Sequence, residues 1–361
     1  MVFVSAPAGG PVAVIDTPEQ LANATAKMAH TDDEFVAVDA ERAQSFRYSA
    51  RAYLFQFRTG GETYLIDPVA CEGQLAGLNR ACAPKTWLLH AASQDLPCLA
   101  EAGLYPDTLF DTELAGRLLN YPRDVEFLHQ LRSKLWQQLQ DAGKDEWAIQ
   151  EFSHVRQTFA EPATPLAEPW RKLKGLRDVR TQQGLAVVAE LWAERDAIAE
   201  ELDLAPTRLL KSTAITELAA LVTGREPVSV DEALRNVAGF RYRHARRYTP
   251  DWKAAILDGL ETPASEQPAL RPPRSGPGKP HSWQRNWPDA FERWQRLRAG
   301  AVETAETLEV PPEQLIAPSS LQAVAWEPPS TPDTLSAKLT ELRVRPWQKE
   351  YLIPVFAEEL F

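Results

Sequence analysis

The sequence predicts an α/β domain, a mixed sheet flanked by helices, over residues 11–160, followed by two all-α helical-bundle modules. Three observations carry this. Short β-rich runs alternate with helical stretches in the first third of the chain. A Pro-rich stretch, Glu161–Pro169, then marks a boundary. Beyond it the text is helical and repeats itself at a constant offset of 106 residues.

Taken in order, Val12–Ile15 reads as a short strand. Asp16 or Thr17 can cap the next helix, Pro18 fits its first turn, and the helix runs to about Met28. Phe35–Asp39 is a strand. Tyr53–Phe57 and Glu62–Ile66 form a hairpin around Gly60-Gly61. A helix is expected over Glu72–Ala81 and a buried strand over Thr86–His90, with His90 a hydrogen-bonded structural histidine rather than a metal ligand. Another helix starts at Phe110–Leu114, with Asp111 as its cap, and helical text resumes from Asp124 to about Leu139 and over Lys144–Phe152.

Phe35-Val36-Ala37-Val38-Asp39-Ala40-Glu41 runs from uncharged β-formers into two carboxylates spaced i, i+2. Period-2 alternation puts both on one side of the pleat. Two acids facing one way repel unless a cation lies between them, and hard divalent ions take oxygen ligands. The bland alternative is a strand followed by a solvated turn. Asp95, in His90-Ala91-Ala92-Ser93-Gln94-Asp95-Leu96, is either a helix cap or a third carboxylate delivered from a strand–helix junction.

A strand ending Val-Asp-x-Glu, a hairpin ending Leu-Ile-Asp-Pro, a strand ending Leu-His-Ala-x-x-x-Asp-Leu and Asp-Thr-Glu-Leu-Ala opening a helix occur here in that order. This resembles ribonuclease D, of the DEDD exonuclease superfamily, over residues 11–120, and implies a ribonuclease-H-like fold. By the resemblance Asp39 and Glu41 match the first acidic motif and Asp95 the second. The family's third motif, Tyr-x-x-x-Asp on a helix, is incomplete. Asp124 matches its acid, but Asn120 stands four positions earlier, and the preceding segment is shortened. Pro122 places Tyr121 outside the helix, with its hydroxyl poorly aimed. Asp124 is either the fourth ligand or a helix N-terminal acid.

In the second half, Leu202, Leu204, Pro206, Leu209 and Ile215 align with Leu308, Val310, Pro312, Leu315 and Leu321. Both copies resemble the helical domain named for helicases and ribonuclease D (HRDC): the first over 168–255, the second, more diverged, over 289–361, with a Pro-rich linker over 256–288. Phe240–Tyr248 is the densest basic and aromatic cluster. Arg241, Arg243, Arg246 and Arg247 can pair phosphates and Tyr242 can stack on bases; Arg171 and Lys172 form a weaker patch. The alternative is a solvated helix face with its aromatics turned into the core.

Hydrophobic residues make up 44% of the 361, charged ones 25%, and the net charge is −11, which supports a packed core and argues against a general nucleic-acid coat. Three unpaired cysteines, no basic leader and no long apolar run lead to the expectation of a cytoplasmic protein with reduced thiols. The resemblance implies a 3′–5′ exoribonuclease. Asp39, Glu41, Asp95 and Asp124 would hold two Mg2+ or Mn2+ ions and cleave RNA 3′ ends such as those of transfer-RNA precursors, with no membrane or obligate protein partner. The rival expectation is a catalytically impaired nucleic-acid-binding protein that keeps the exonuclease fold.

Overall fold

The computed structural model describes residues 12–43, 46–49, 51–121, 128–160, 166–271 and 278–361. The chain forms two compact units. One holds residues 1–41, 52–162 and 274–361, the other 42–51 and 163–273.

The first unit is built on a six-stranded mixed sheet. Its strands are β1 (Val14–Ile15), β2 (Phe35–Arg42), β3 (Ala52–Thr59), β4 (Glu62–Ile66), β5 (Thr86–Leu89) and β6 (Thr108–Asp111), in the order β1-β4-β3-β2-β5-β6. Gly60 and Gly61 join β3 to β4 with φ of 59° and 77°, the two left-handed positions of a two-residue hairpin turn. Val36, Ala37 and Val38 are buried, as are Trp87, Leu88 and Leu89 beside them, so the sheet centre is covered on both faces. β2, β5 and β6 run parallel in the registers Ala37–Leu88 and Leu88–Phe110, which brings their C-terminal ends to one edge. Thr59 donates to the Phe35 carbonyl and Gln56 to Asp39, so β3 lies antiparallel to β2.

The helices of this half are α1 (Pro18–His30), α2 (Ala76–Cys82), α3 (Leu96–Glu101), α4 (Thr112–Leu118), α5 (Leu128–Asp141) and α6 (Asp145–Thr158). Thr17, not Asp16, caps α1 by accepting from Gln20 N. The helix expected over Glu72–Ala81 starts later, at Ala76, because Gly73 turns the chain at φ 76°. The sequence reading has no strand before Asp111. Thr108–Asp111 is one, four residues at the sheet edge, too short to show a period.

In the second unit, α7 (Gln182–Glu201), α8 (Pro206–Leu209), α9 (Ser212–Val222), α10 (Val230–Asn236) and α11 (Thr249–Glu261) enclose a core that includes Leu191, Ile215, Leu218 and Trp252. α11 crosses α7 at Gly259. A β-carbon there would lie 2.5 Å from Val187 Cα. Residues 42–51 belong to this core: Tyr48 donates to Asp196 (2.7 Å), and Ala205 N donates to the Phe46 carbonyl.

The C-terminal helices are α12 (Trp283–Asn286), α13 (Pro288–Thr307), α14 (Pro312–Leu315), α15 (Pro318–Trp326), α16 (Pro332–Glu341) and α17 (Pro346–Leu360). They pack as part of the first unit. Lys144 donates to the carbonyls of Leu118 and Glu309, and Trp147 stacks on Trp347 at 4.6 Å. The expected linker over 256–288 is shorter at both ends: α11 continues to Glu261, and Trp283 is fully buried.

The sequence repeat has a geometric counterpart. α7 and α13 both end in a left-handed residue, Asp203 (φ 46°) and Glu309 (φ 52°). The next N–H closes back on the helix, Leu204 to the Ala199 carbonyl and Val310 to that of Ala305. A one-turn helix opening on Pro206 or Pro312 follows each.

Candidate active site

β2 ends its buried run at Val38 and exposes Asp39 and Glu41 at the edge where β5 and β6 also end. Gln56 of β3, half-buried, donates from Nε2 to Asp39 Oδ2 at 3.2 Å and so fixes one carboxylate oxygen. Asp95 stands at the N-terminus of α3, in the loop that leaves β5. It is half-buried and makes no side-chain cap to the helix. Of the two roles the sequence leaves open for Asp95, the helix cap is absent. Among the described residues no three Asp, Glu, His or Cys side chains stand close enough together to hold a metal ion. Asp124 lies outside the described residues.

Asp111 does more than cap. Its Oδ1 accepts from Glu113 N (2.9 Å) and Leu114 N (3.3 Å) at the start of α4. It also accepts from Ala91 N (3.1 Å), and Oδ2 accepts from Ala92 N (2.9 Å). One buried carboxylate therefore ties the β5–α3 loop, which carries Asp95, to the end of β6. Burial pushes this carboxyl above the ordinary value; the N–H groups of Ala92, Leu114, Glu113 and Ala91 pull it back. His90 is hydrogen-bonded as expected, but exposed at the strand end rather than buried. Thr112 Oγ1 donates to the Leu89 carbonyl, so it accepts from His90 Nδ1.

A family model for a 3′-5′ exonuclease matches residues 12–146, one for the HRDC domain residues 184–256, and one for the 3′ to 5′ exonuclease C-terminal domain residues 276–360. A curated relative named ribonuclease D, from Jannaschia sp. (strain CCS1), is 25% identical over 306 residues, covering 71% of this chain and 76% of the relative. These matches make the chain similar to the ribonuclease D family. Another ribonuclease D, from Nitrobacter hamburgensis, is also 25% identical and covers 73% and 78%. A crystal structure of a protein from Bifidobacterium adolescentis superposes with a TM-score of 0.84 at 28% identity over 99% of both chains. Escherichia coli ribonuclease D, described as an exoribonuclease involved in structured RNA processing, shares the fold at a TM-score of 0.65 and 17% identity, covering 97% and 98%. The stretch expected as a second HRDC copy, residues 289–361, falls almost wholly within the exonuclease C-terminal match instead, although it keeps the cap geometry of the first copy.

The stretch that the resemblance aligns with the third motif begins at the end of α4. Asn120, at φ 57°, is the left-handed residue that closes α4, with Tyr121 N donating to the Gly116 carbonyl. Tyr121 lies on neither α4 nor α5, and its hydroxyl accepts from Gln138 (2.8 Å).

In the HRDC domain the basic cluster is not one helix face. It lies on two 3-10 turns, Ala238–Arg241 and Ala245–Tyr248. Arg241, Tyr242, Arg243, Arg246 and Arg247 are exposed, while Phe240 is buried and Tyr248 packs on Trp252. Two aromatics, Phe240 and Tyr248, turn inward and one, Tyr242, stands out among the cations. Arg241 and Arg246 line a cavity of about 280 Å³. Arg171 is otherwise occupied. It binds Glu168 through two hydrogen bonds (2.7 and 2.9 Å), donates to the Ala269 carbonyl and covers the Trp170 ring at 4.3 Å. Lys172 is exposed. No helix among the described residues is long and apolar enough to cross a membrane.

Proposed function

We propose that this chain is a metal-dependent 3′–5′ exoribonuclease of the ribonuclease D type, acting on RNA 3′ ends such as those of transfer-RNA precursors. The observation that carries the reading is the Asp39–Glu41 pair exposed at the end of a buried strand, beside the loop that presents Asp95, inside the stretch matched by the 3′-5′ exonuclease model. The donor type suits Mg2+ or Mn2+, since every candidate ligand is a carboxylate, although Asp39, Glu41 and Asp95 do not by themselves converge closely enough to hold an ion. Asp39, Glu41 and Asp95, with Asp124, would hold the ions. When bound, the ions would make a water more acidic and neutralise charge on the phosphodiester. Gln56 orients Asp39, and Asp111 holds the loop under Asp95. Arg241, Arg243, Arg246, Arg247 and Tyr242 would grip the strand through phosphate pairing and stacking; Lys172 would add a weaker contact.

A second reading, a binding protein with impaired chemistry, is favoured by Tyr121, whose hydroxyl is engaged by Gln138. One experiment separates the two. A 5′-labelled single-stranded RNA is incubated with Mn2+ or Mg2+ and either this chain or Asp39→Ala. A ladder shortening from the 3′ end, absent with the variant, supports the nuclease. Intact RNA with both proteins, in the presence of RNA binding, overturns it in favour of the second reading.

A further inference from the structure

The first unit contains a cavity that the exonuclease reading does not use. On α6, Gln150, Ser153, His154, Gln157 and Thr158 recur at helical spacing and form one polar face. Across from them lies the turn between α16 and α17, Arg343 to Pro346, and together they line a space of about 610 Å³. That volume is in the range of small-ligand sites.

The charge in this cavity is one-sided. Arg345 is held rigidly: Nε donates to Glu151 Oε1 at 2.6 Å and Nη1 to the Arg343 carbonyl at 3.2 Å. Glu151 is itself buried and takes a second hydrogen bond from Trp347 Nε1 (2.8 Å); it balances the Arg345 charge from beneath the cavity and leaves that of Arg343 uncompensated. Arg343 is exposed, and among the described residues no carboxylate pairs with it. Burial and the Arg345 and Arg343 charges hold the His154 imidazole below its ordinary value.

Arg343 also occupies a costly position. At φ 57° it is the left-handed residue that ends α16, with Val344 N donating to the Leu339 carbonyl. A side chain other than Gly or Asn there costs about 1–2 kcal/mol. The favourable interaction of a cation with a helix C-terminus does not explain the choice, because the matching positions after α7 and α13 carry acids, Asp203 and Glu309.

We propose that this cavity is a nucleotide-phosphate site. Arg343 and Arg345 would take the phosphate oxygens, Ser153 and Gln157 would add hydrogen bonds, and Ile149 and Pro346 would offer an apolar wall to the base. The phosphate has two possible sources, an internal nucleotide of an RNA chain or a free 5′-mononucleotide. The RNA source rests on the exonuclease reading; the mononucleotide source does not.

The test is calorimetric titration of the full chain in EDTA, so that no turnover occurs. The titrants are AMP, adenosine and a short oligoribonucleotide, and the variant is Arg343→Asn, which suits the left-handed backbone. Ser153→Ala is a second variant that leaves the turn untouched. AMP is expected to bind saturably at millimolar concentration or below, adenosine not at all. Arg343→Asn should weaken AMP about tenfold, the effect of one lost charge-assisted hydrogen bond. If the oligonucleotide weakens in parallel and AMP competes with it, RNA is a source; if only AMP weakens, the free nucleotide is. No saturable AMP binding by the native chain overturns the proposal, as does binding that neither variant changes or that adenosine matches. Because no catalysis is involved, a failed degradation assay leaves the AMP result intact.

Discussion

Removing the Asp111 carboxylate should loosen the loop under Asp95 before it affects anything else. In Asp111→Ala four N–H groups lose their acceptor. Loss of the α4 cap costs about 1 kcal/mol. The Ala91 and Ala92 N–H groups, each left without a partner, cost roughly 1–3 kcal/mol apiece. Partial relaxation brings the sum to about 3–5 kcal/mol, the upper end for a single substitution. Asp111→Asn keeps one acceptor oxygen and the cap but sets an amide donor against an N–H, for about 1–2 kcal/mol. Hydrogen exchange of the peptide spanning residues 90–95 reads the loop directly, and the urea midpoint reads the unit. Exchange should rise strongly in the Ala variant and modestly in the Asn variant, with RNA degradation falling in the same order. The pH dependence has a defined sign. The folded-state value lies above the ordinary 3.8, so the folded chain binds the extra proton first, and stability from this group is lost as pH rises through the raised value. The advantage of the native chain over Asp111→Asn should therefore widen as pH is lowered through that window. Exchange in Asp111→Ala equal to that of the native chain would refute the staple.

Gln56→Ala frees Asp39 Oδ2 and should lower RNA degradation about fivefold, for about 1 kcal/mol of lost orientation, with RNA affinity unchanged; single-turnover rates and filter binding check the two halves. Replacing Arg241 and Arg246 with Gln should weaken RNA binding at all sequences and reduce the salt slope by about 0.7 for each lost phosphate contact. Arg171→Gln should leave that slope alone and instead destabilise the helical unit by about 1 kcal/mol, read by urea unfolding. Gly259→Ala puts a methyl group 2.5 Å from Val187 Cα, where backbone cannot yield, and should cost about 1–3 kcal/mol in the same assay.

What could be read from the sequence is what short-range chemistry decides. β2 announces itself because four uncharged β-formers run into Asp39 and Glu41, the cap at Asp111 follows from its neighbours, and that of α1 is narrowed to Asp16 or Thr17. The repeat was visible as matched Leu and Pro positions, and the matched left-handed residues Asp203 and Glu309 give those positions a physical reason. What stayed hidden depends on partners brought close only by register or packing. Gln56 meets Asp39 because β3 lies antiparallel on β2, and Asp111 meets Ala91 and Ala92 because β5 and β6 end level. Residues 42–51 follow the catalytic-looking strand yet belong to the helical unit, through Tyr48 and Asp196, acids and phenols that no local pattern pairs. The C-terminal helices join the sheet-bearing unit through Lys144, whose ammonium must find carbonyls once it is buried.

The third motif lies between these cases. Pro122 made Tyr121 non-helical from sequence alone, but the structure supplies the stronger cause: α4 has already ended at Asn120, and the Tyr121 N–H is committed to closing it. Restoring a tyrosine at 120 would place a bulky residue at φ 57°, at a cost of about 1–2 kcal/mol, without bringing its hydroxyl onto α5. Asn120→Tyr should therefore destabilise the first unit and leave RNA degradation no faster. A gain in rate would show that the side chain at 120, and not the backbone at α4's end, limits the chemistry.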